Sequence, residues 1–106
     1  MKLSLFIFAV LLVCSLAAFA NSRSGRRAHG AAIFTESGCV HCHTIGNAGG
    51  HKGPDLSGVG RRLKKSQMQR QIANGSKLMS PFGEDLQGQD MSDLLAYLRS
   101  CRARKQ

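Results

Sequence analysis

The chain has no tryptophan and one tyrosine, so large aromatic side chains contribute little to any core it builds. Carboxylates are scarce too: six Asp and Glu stand against fifteen Lys and Arg, a formal net charge of +9. That imbalance favours nucleic acid, anionic membrane surfaces or acidic proteins as partners. Cysteine supplies one close pair, Cys39 and Cys42, with no second pair downstream, as the usual structural zinc site would require. No strand pattern precedes that pair, so the βαβ context of a thioredoxin-like redox motif is missing as well. The apolar stretch from Leu3 to Leu16, interrupted by Ser4 and Ser15, is marginal for spanning a bilayer.

That stretch follows Lys2 and runs into Ala18-Phe19-Ala20, an A-x-A ending. A positive start, an apolar centre and small residues at the exit are the pattern of a secretory signal. The expectation is export to the periplasm with cleavage after Ala20; the rival is a retained membrane anchor. Residues 1–20 are then the signal, 21–27 a flexible basic arm and 28–106 the folded domain. Cleavage leaves 86 residues carrying fourteen basic and six acidic side chains. Export argues against nucleic acid and leaves acidic proteins or a membrane surface. A chain of this length struggles to bury enough apolar area by itself and usually needs a staple.

What is present supplies one. Cys39-Val40-His41-Cys42-His43 reads C-x-x-C-H, the attachment signature of a c-type haem. Two thiols one short turn apart can each bond a vinyl group of one porphyrin, and the next residue, His43, lies under the iron as a ligand. A covalent haem would complete a small core with a large flat apolar surface. Two other readings use the same residues: zinc held by Cys39, Cys42 and two of His41, His43 and His51, or a disulfide in a secreted domain.

The flanks organise around this motif. A helix is expected from about Arg26, with Gly30 and Phe34 on one face and Gly38 ending it as the C′ residue. Gly30 costs about 1 kcal/mol inside a helix, so a close crossing is the expected reason. His29 is expected on the exposed side. Gly46 to Gly53 is expected to be irregular. Pro54 offers a free carbonyl suited to the proximal imidazole, a bond that would orient His43 and raise its basicity. Arg61 and Arg62 are candidates to meet the haem propionates. Ser66-Gln67-Met68-Gln69 matches a capping box, with Met68 and Ile72 on the buried face of the helix it starts and Gly75 as its stop. Met79 sits outside any helical stripe, in Lys77-Leu78-Met79-Ser80-Pro81-Phe82, and is the candidate sixth ligand of the iron. Met91, Leu94, Leu95 and Leu98 mark a last amphipathic helix from about Gly88 to Arg102, with Arg99, Arg102, Arg104 and Lys105 favourably placed at its end. Cys101 continues its apolar face as a small half-buried residue; a Cys101-linked dimer is the alternative to a monomer.

In this order, Gly30 and Phe34, the C-x-x-C-H motif, Gly53-Pro54-Asp55-Leu56, and Met79-Ser80-Pro81-Phe82 before Leu95-Ala96-Tyr97-Leu98, the chain resembles a small class I cytochrome c of the periplasmic type. The resemblance covers nearly all of 26–99. It implies an all-α cytochrome c fold, three to four short helices around one covalent haem, with the first and last helices crossing near Gly30, Phe34, Leu94 and Tyr97. It further implies thioether bonds to Cys39 and Cys42, axial iron ligation by His43 and Met79, and the Pro54 carbonyl on His43. The expected function is electron transfer without a small-molecule substrate. Acidic redox proteins, a membrane-bound oxidoreductase among them, are the partners that the charge favours. A haem with an open distal site, acting as a peroxidase or gas sensor, is the alternative.

Overall fold

The computed structural model describes residues 1–104; Lys105, expected near the end of the last helix, lies outside the described residues. The element order is α1 (Lys2–Glu36), a short 3-10 turn (Cys39–His41), β1 (Thr44–Ile45), β2 (Ala48–Gly49), α2 (Val59–Arg62), α3 (Lys65–Asn74) and α4 (Gly88–Ser100). The fold is helical, and its two strands form one small antiparallel pair.

α1 has two halves with different fates. Its apolar side chains from Leu3 to Phe19 are exposed, because no other element covers them. Burial begins only at Gly30, Ile33 and Phe34. The first half is long and apolar enough to cross a membrane. Residues 21–27, expected as a loose arm, are helical. The physical reason is composition: Ala17, Ala18, Ala20, Arg23, Arg26 and Arg27 propagate a helix well. Gly25 alone costs too little to stop it. The helix ends at Ser37, and Gly38 follows at φ +80°, the left-handed C′ position that glycine occupies without strain.

α4 packs across the second half of α1, as the resemblance implied. A Cβ on Gly30 would overlap the Asp93 carbonyl oxygen and stand 2.7 Å from the Tyr97 Cβ, so only glycine admits this approach. Phe34 and Tyr97 meet edge to face with centroids 5.9 Å apart. Leu94 and Leu95 are the most deeply buried large side chains, each 1% exposed. Burial of each contributes about 1.5–3 kcal/mol.

Three local expectations change. Within 46–53, expected to be irregular, Ala48 and Gly49 pair with Ile45 and Thr44; the turn is short enough to close a two-residue ladder. α3 starts at Lys65 and not at the proposed Ser66 box. The Gln67 side chain accepts from the Lys64 backbone N–H at 2.8 Å, so glutamine at the third position satisfies that orphan donor. α4 stops at Ser100 and not Arg102, since the chain turns to extended backbone at Cys101. Met68 and Ile72 are buried, and Gly75, at φ +65°, ends α3.

Candidate haem-attachment site

The tight turn after α1 brings the motif together. His41 N–H bonds the Gly38 carbonyl at 3.0 Å, and the N–H groups of Cys42 and His43 both reach the Cys39 carbonyl, at 3.2 and 3.0 Å. Cys39 and Cys42 therefore sit on one compact turn, both as free thiols and both partly buried. Burial pushes the Cys39 thiol up from its ordinary range. That is opposite to the lowered thiol of a thioredoxin-like redox pair.

His43 follows directly. Its Nδ1–H donates to the Pro54 carbonyl at 2.8 Å. A carbonyl only accepts, so in the neutral ring the proton sits on Nδ1 and the lone pair on Nε2. This is the tautomer that a metal ligand bound through Nε2 requires. The Gly53 N–H bonds the Cys42 carbonyl at 2.7 Å, and a Cβ on Gly53 would stand 2.6 Å from the imidazole Cε1. The 53–54 segment thus fixes the ring on one edge by contact and on one nitrogen by a hydrogen bond. Thr44, buried behind it, donates its hydroxyl to the Gly50 carbonyl at 2.6 Å and accepts the Leu56 N–H on its own carbonyl at 2.8 Å. His51, expected in exposed loop, is exposed, with Nδ1 3.4 Å from the Thr44 hydroxyl.

Met79 lies on a closed loop. The Ser76 N–H bonds the Met79 carbonyl at 2.8 Å, while Phe82 and Gly83 N–H groups return to the Ile72 and Ala73 carbonyls at 2.9 and 3.1 Å. The last carbonyls of α3 therefore tether the loop. The Met79 side chain is partly buried against the core, and Gln71 Nε2 approaches its sulfur at 3.8 Å. Arg61 and Arg62 are both exposed on α2; Arg62 donates to the Asp55 carbonyl at 2.8 Å.

The donor set fits a haem. Two free thiols and an imidazole with its lone pair on Nε2 occupy one turn. Val40, Ile45, Leu56, Met79 and Phe82 are apolar side chains packed on the core but only partly covered, and a flat apolar group would complete their burial. Zinc has no such support, since among the described residues no three of His, Cys, Asp and Glu converge as metal ligands. A groove between α3 and α4, floored by Ala73, Leu86, Met91 and Leu95, contains no motif residue.

One polar residue escaped the sequence reading. Asp93 is 4% exposed on α4, in a stripe read only for its Met and Leu residues. Its Oδ2 accepts from His29 Nδ1 at 2.8 Å and its Oδ1 from Gln89 Nε2 at 2.6 Å. His29 is thus exposed as expected, yet tied to a buried carboxylate. The hydrogen bond from His29 holds the Asp93 carboxyl below its usual range, and Asp93 in turn raises His29. The available signal was a histidine placed directly before the crossing glycine.

No curated protein and no solved structure matches the chain. The profile of the family described as cytochrome c oxidase, cbb3-type, subunit III matches residues 25–98. This span starts within α1 shortly before Gly30, takes in the motif, the Pro54 and Met79 loops, and ends at Leu98 in α4. The helical fold, the crossing at Gly30 and the thiol–imidazole turn agree with that match, and the chain belongs to this family of haem-binding, electron-transferring c-type cytochrome domains.

Proposed function

We propose that the protein is an exported single-haem electron carrier with both axial positions of the iron filled from its own chain. Cys39 and Cys42 hold the haem covalently, and His43 Nε2 and Met79 Sδ ligate the iron. Haem c supplies one-electron chemistry between ferrous and ferric iron. The observation that carries the reading is the 2.8 Å bond from His43 Nδ1–H to the Pro54 carbonyl, which assigns the lone pair to Nε2 in the residue that follows the second thiol. The chain's own residues do the rest. Pro54 and Gly53 orient the imidazole, and the Pro54 carbonyl makes it more electron-donating. The tethered 75–83 loop holds Met79, whose soft thioether raises the reduction potential and blocks exogenous ligands. Arg61 or Arg62 meets the propionates. One haem is proposed because the chain has one C-x-x-C-H.

The remaining parts of the proposal concern the surroundings. Residues 1–20 direct export to the periplasm and are removed after Ala20; retention of the same helix would make it a membrane anchor. The basic surface steers acidic redox partners at a salt-dependent rate, and the oxidase named in the family's description favours a membrane-bound oxidoreductase among them. Burial of Cys101, at 8% exposure with its thiol facing the Tyr97 carbonyl, supports a monomer over a Cys101-linked dimer, which would have to expose it.

Absorption spectra of the mature protein, produced with haem-attachment machinery and recorded oxidised and reduced, test this. The expected result is a low-spin c-type spectrum with a far-red ferric band that disappears in Met79→Ala. A high-spin spectrum would refute Met79 ligation and transfer the weight to a peroxidase or gas sensor with an open distal site. No haem absorbance would refute both.

A further inference from the structure

We propose that the C-terminal segment 101–103 is a brace for the proximal histidine, with Arg102 as a positioning residue that acts on His43 through the start of α2 and the 53–58 loop that leads into it. The inference rests on His43 being an iron ligand and goes beyond it in assigning work to residues outside the haem motif and outside the span that the family profile matches.

Three hydrogen bonds dock this segment, one on the loop at Ser57 and two on Gly60 in the first turn of α2. The Gly60 N–H bonds the Cys101 carbonyl at 2.9 Å, the Ala103 N–H bonds the Ser57 carbonyl at 3.0 Å, and Arg102 Nη1 donates to the Gly60 carbonyl at 2.8 Å. The contact is close as well as bonded. A Cβ on Gly58 would stand 2.6 Å from the Ala103 carbonyl oxygen, and one on Gly60 would overlap the Arg99 carbonyl oxygen. Glycines at 58 and 60 thus let the loop and the start of α2 lie flat against the end of α4 and the residues after it.

From the loop the restraint reaches His43. The Ser57 hydroxyl accepts the Gly46 N–H at 2.8 Å, and the Ser57 N–H bonds Asp55 Oδ1 at 2.8 Å. The Leu56 N–H bonds the Thr44 carbonyl at 2.8 Å. Pro54, two residues before Leu56, accepts from His43 Nδ1. Pro54 and Ser57 belong to one short segment without a helix or strand of its own. Its position is therefore set by what it is bonded to: Cys42, Thr44 and Gly46 on one side, Arg62 and the C-terminal brace on the other. Loosening the brace lets the Pro54 carbonyl drift from Nδ1. A weaker bond there makes the imidazole a poorer donor, which disfavours the ferric state and raises the reduction potential.

The test uses the haem-loaded mature protein and two variants. Arg102→Ala removes the side-chain bond, and Ala103→Pro removes the N–H that bonds Ser57, with no other donor lost. Phe34→Leu, which loosens the α1–α4 crossing away from this loop, is the control. Hydrogen exchange of the His43 Nδ1–H, read by hyperfine-shifted NMR, and the reduction potential are measured for each. Both brace variants are expected to exchange about fivefold faster, the equivalent of one lost neutral hydrogen bond, and to have raised potentials, with the control unchanged in both. If Arg102→Ala folds and leaves both readouts at the wild-type value, the brace is refuted, whatever happens to Ala103→Pro. An equal change in Phe34→Leu also refutes it, because general loosening would then explain the effect. A wild-type protein with no hyperfine-shifted histidine resonance would instead overturn His43 ligation itself, and this proposal with it.

Discussion

Gly30→Ala sets two well-known effects against each other. Alanine is the better helix former by about 1 kcal/mol, so propensity alone predicts a more stable protein. The crossing predicts the reverse. The new methyl would overlap the Asp93 carbonyl oxygen and stand 2.7 Å from the Tyr97 Cβ, where apolar carbons rest at about 3.5–4.0 Å. Two of the three atoms it meets are backbone, which cannot rotate aside, so α1 and α4 must separate by about 1 Å. Overpacking of this kind costs about 1–3 kcal/mol. Separation also degrades the Phe34–Tyr97 edge contact, worth about 0.5–1.5 kcal/mol. The balance is a net loss of about 2 kcal/mol, a fall in Tm of about 8–16 °C for a domain of this size. Circular dichroism melts of the haem-loaded mature protein measure it. An unchanged or higher Tm would show that the helices do not approach as closely as Gly30 implies.

Two further outcomes follow from the same geometry. Because Asp93 raises His29, their bond stabilises the fold fully below pH 6.5, the ordinary value for histidine, and is lost as pH rises through the raised value; because His29 lowers Asp93, it is also lost as pH falls from about 3.8 through the lowered one. Asp90, Glu36 and Arg26 are the other charges acting on the pair. Urea midpoints of the wild type should therefore exceed those of Asp93→Asn most between about pH 4 and 6.5, with the gap narrowing above; a gap independent of pH would be inconsistent with the ion pair. Gly53→Ala places a methyl 2.6 Å from His43 Cε1 and should displace the ring, shifting the reduction potential with little change in α-helix content by circular dichroism; an unaltered potential would mean the imidazole has room that the structure denies it.

Legibility followed the range of each interaction. The thiols and His43 were readable because they lie within five consecutive residues, and the Pro54 carbonyl because proline in an irregular segment has no helix or strand ladder to use its acceptor. α4 was readable because Met91, Leu94, Leu95 and Leu98 repeat at the helical period. Met79 was singled out as a candidate ligand only by exclusion, as the methionine outside a helical stripe, and its ligation belongs to the proposal. The cap of α3 was misplaced by two residues, from Lys64 to Ser66, since Gln67 rather than Gln69 closes the box, and it does so on the Lys64 backbone N–H, which needs no serine side chain. The stretch 21–27 looked like an arm for its charge and serines, although its helix formers let α1 run through it unbroken.

By itself, then, the sequence determined what local chemistry and periodicity can carry: the haem motif, the tautomer-setting proline, the amphipathic last helix and the glycine of a close crossing. Tertiary structure alone decided which side chains meet across long separations. His29 and Asp93 are 64 residues apart, and Arg102 reaches back 42 residues to Gly60. Neither pair leaves a periodic trace, because a buried carboxylate or a basic tail looks like any polar surface residue until the helices cross. Their partners are set by the angle and depth of that crossing, which no local stretch of the chain encodes.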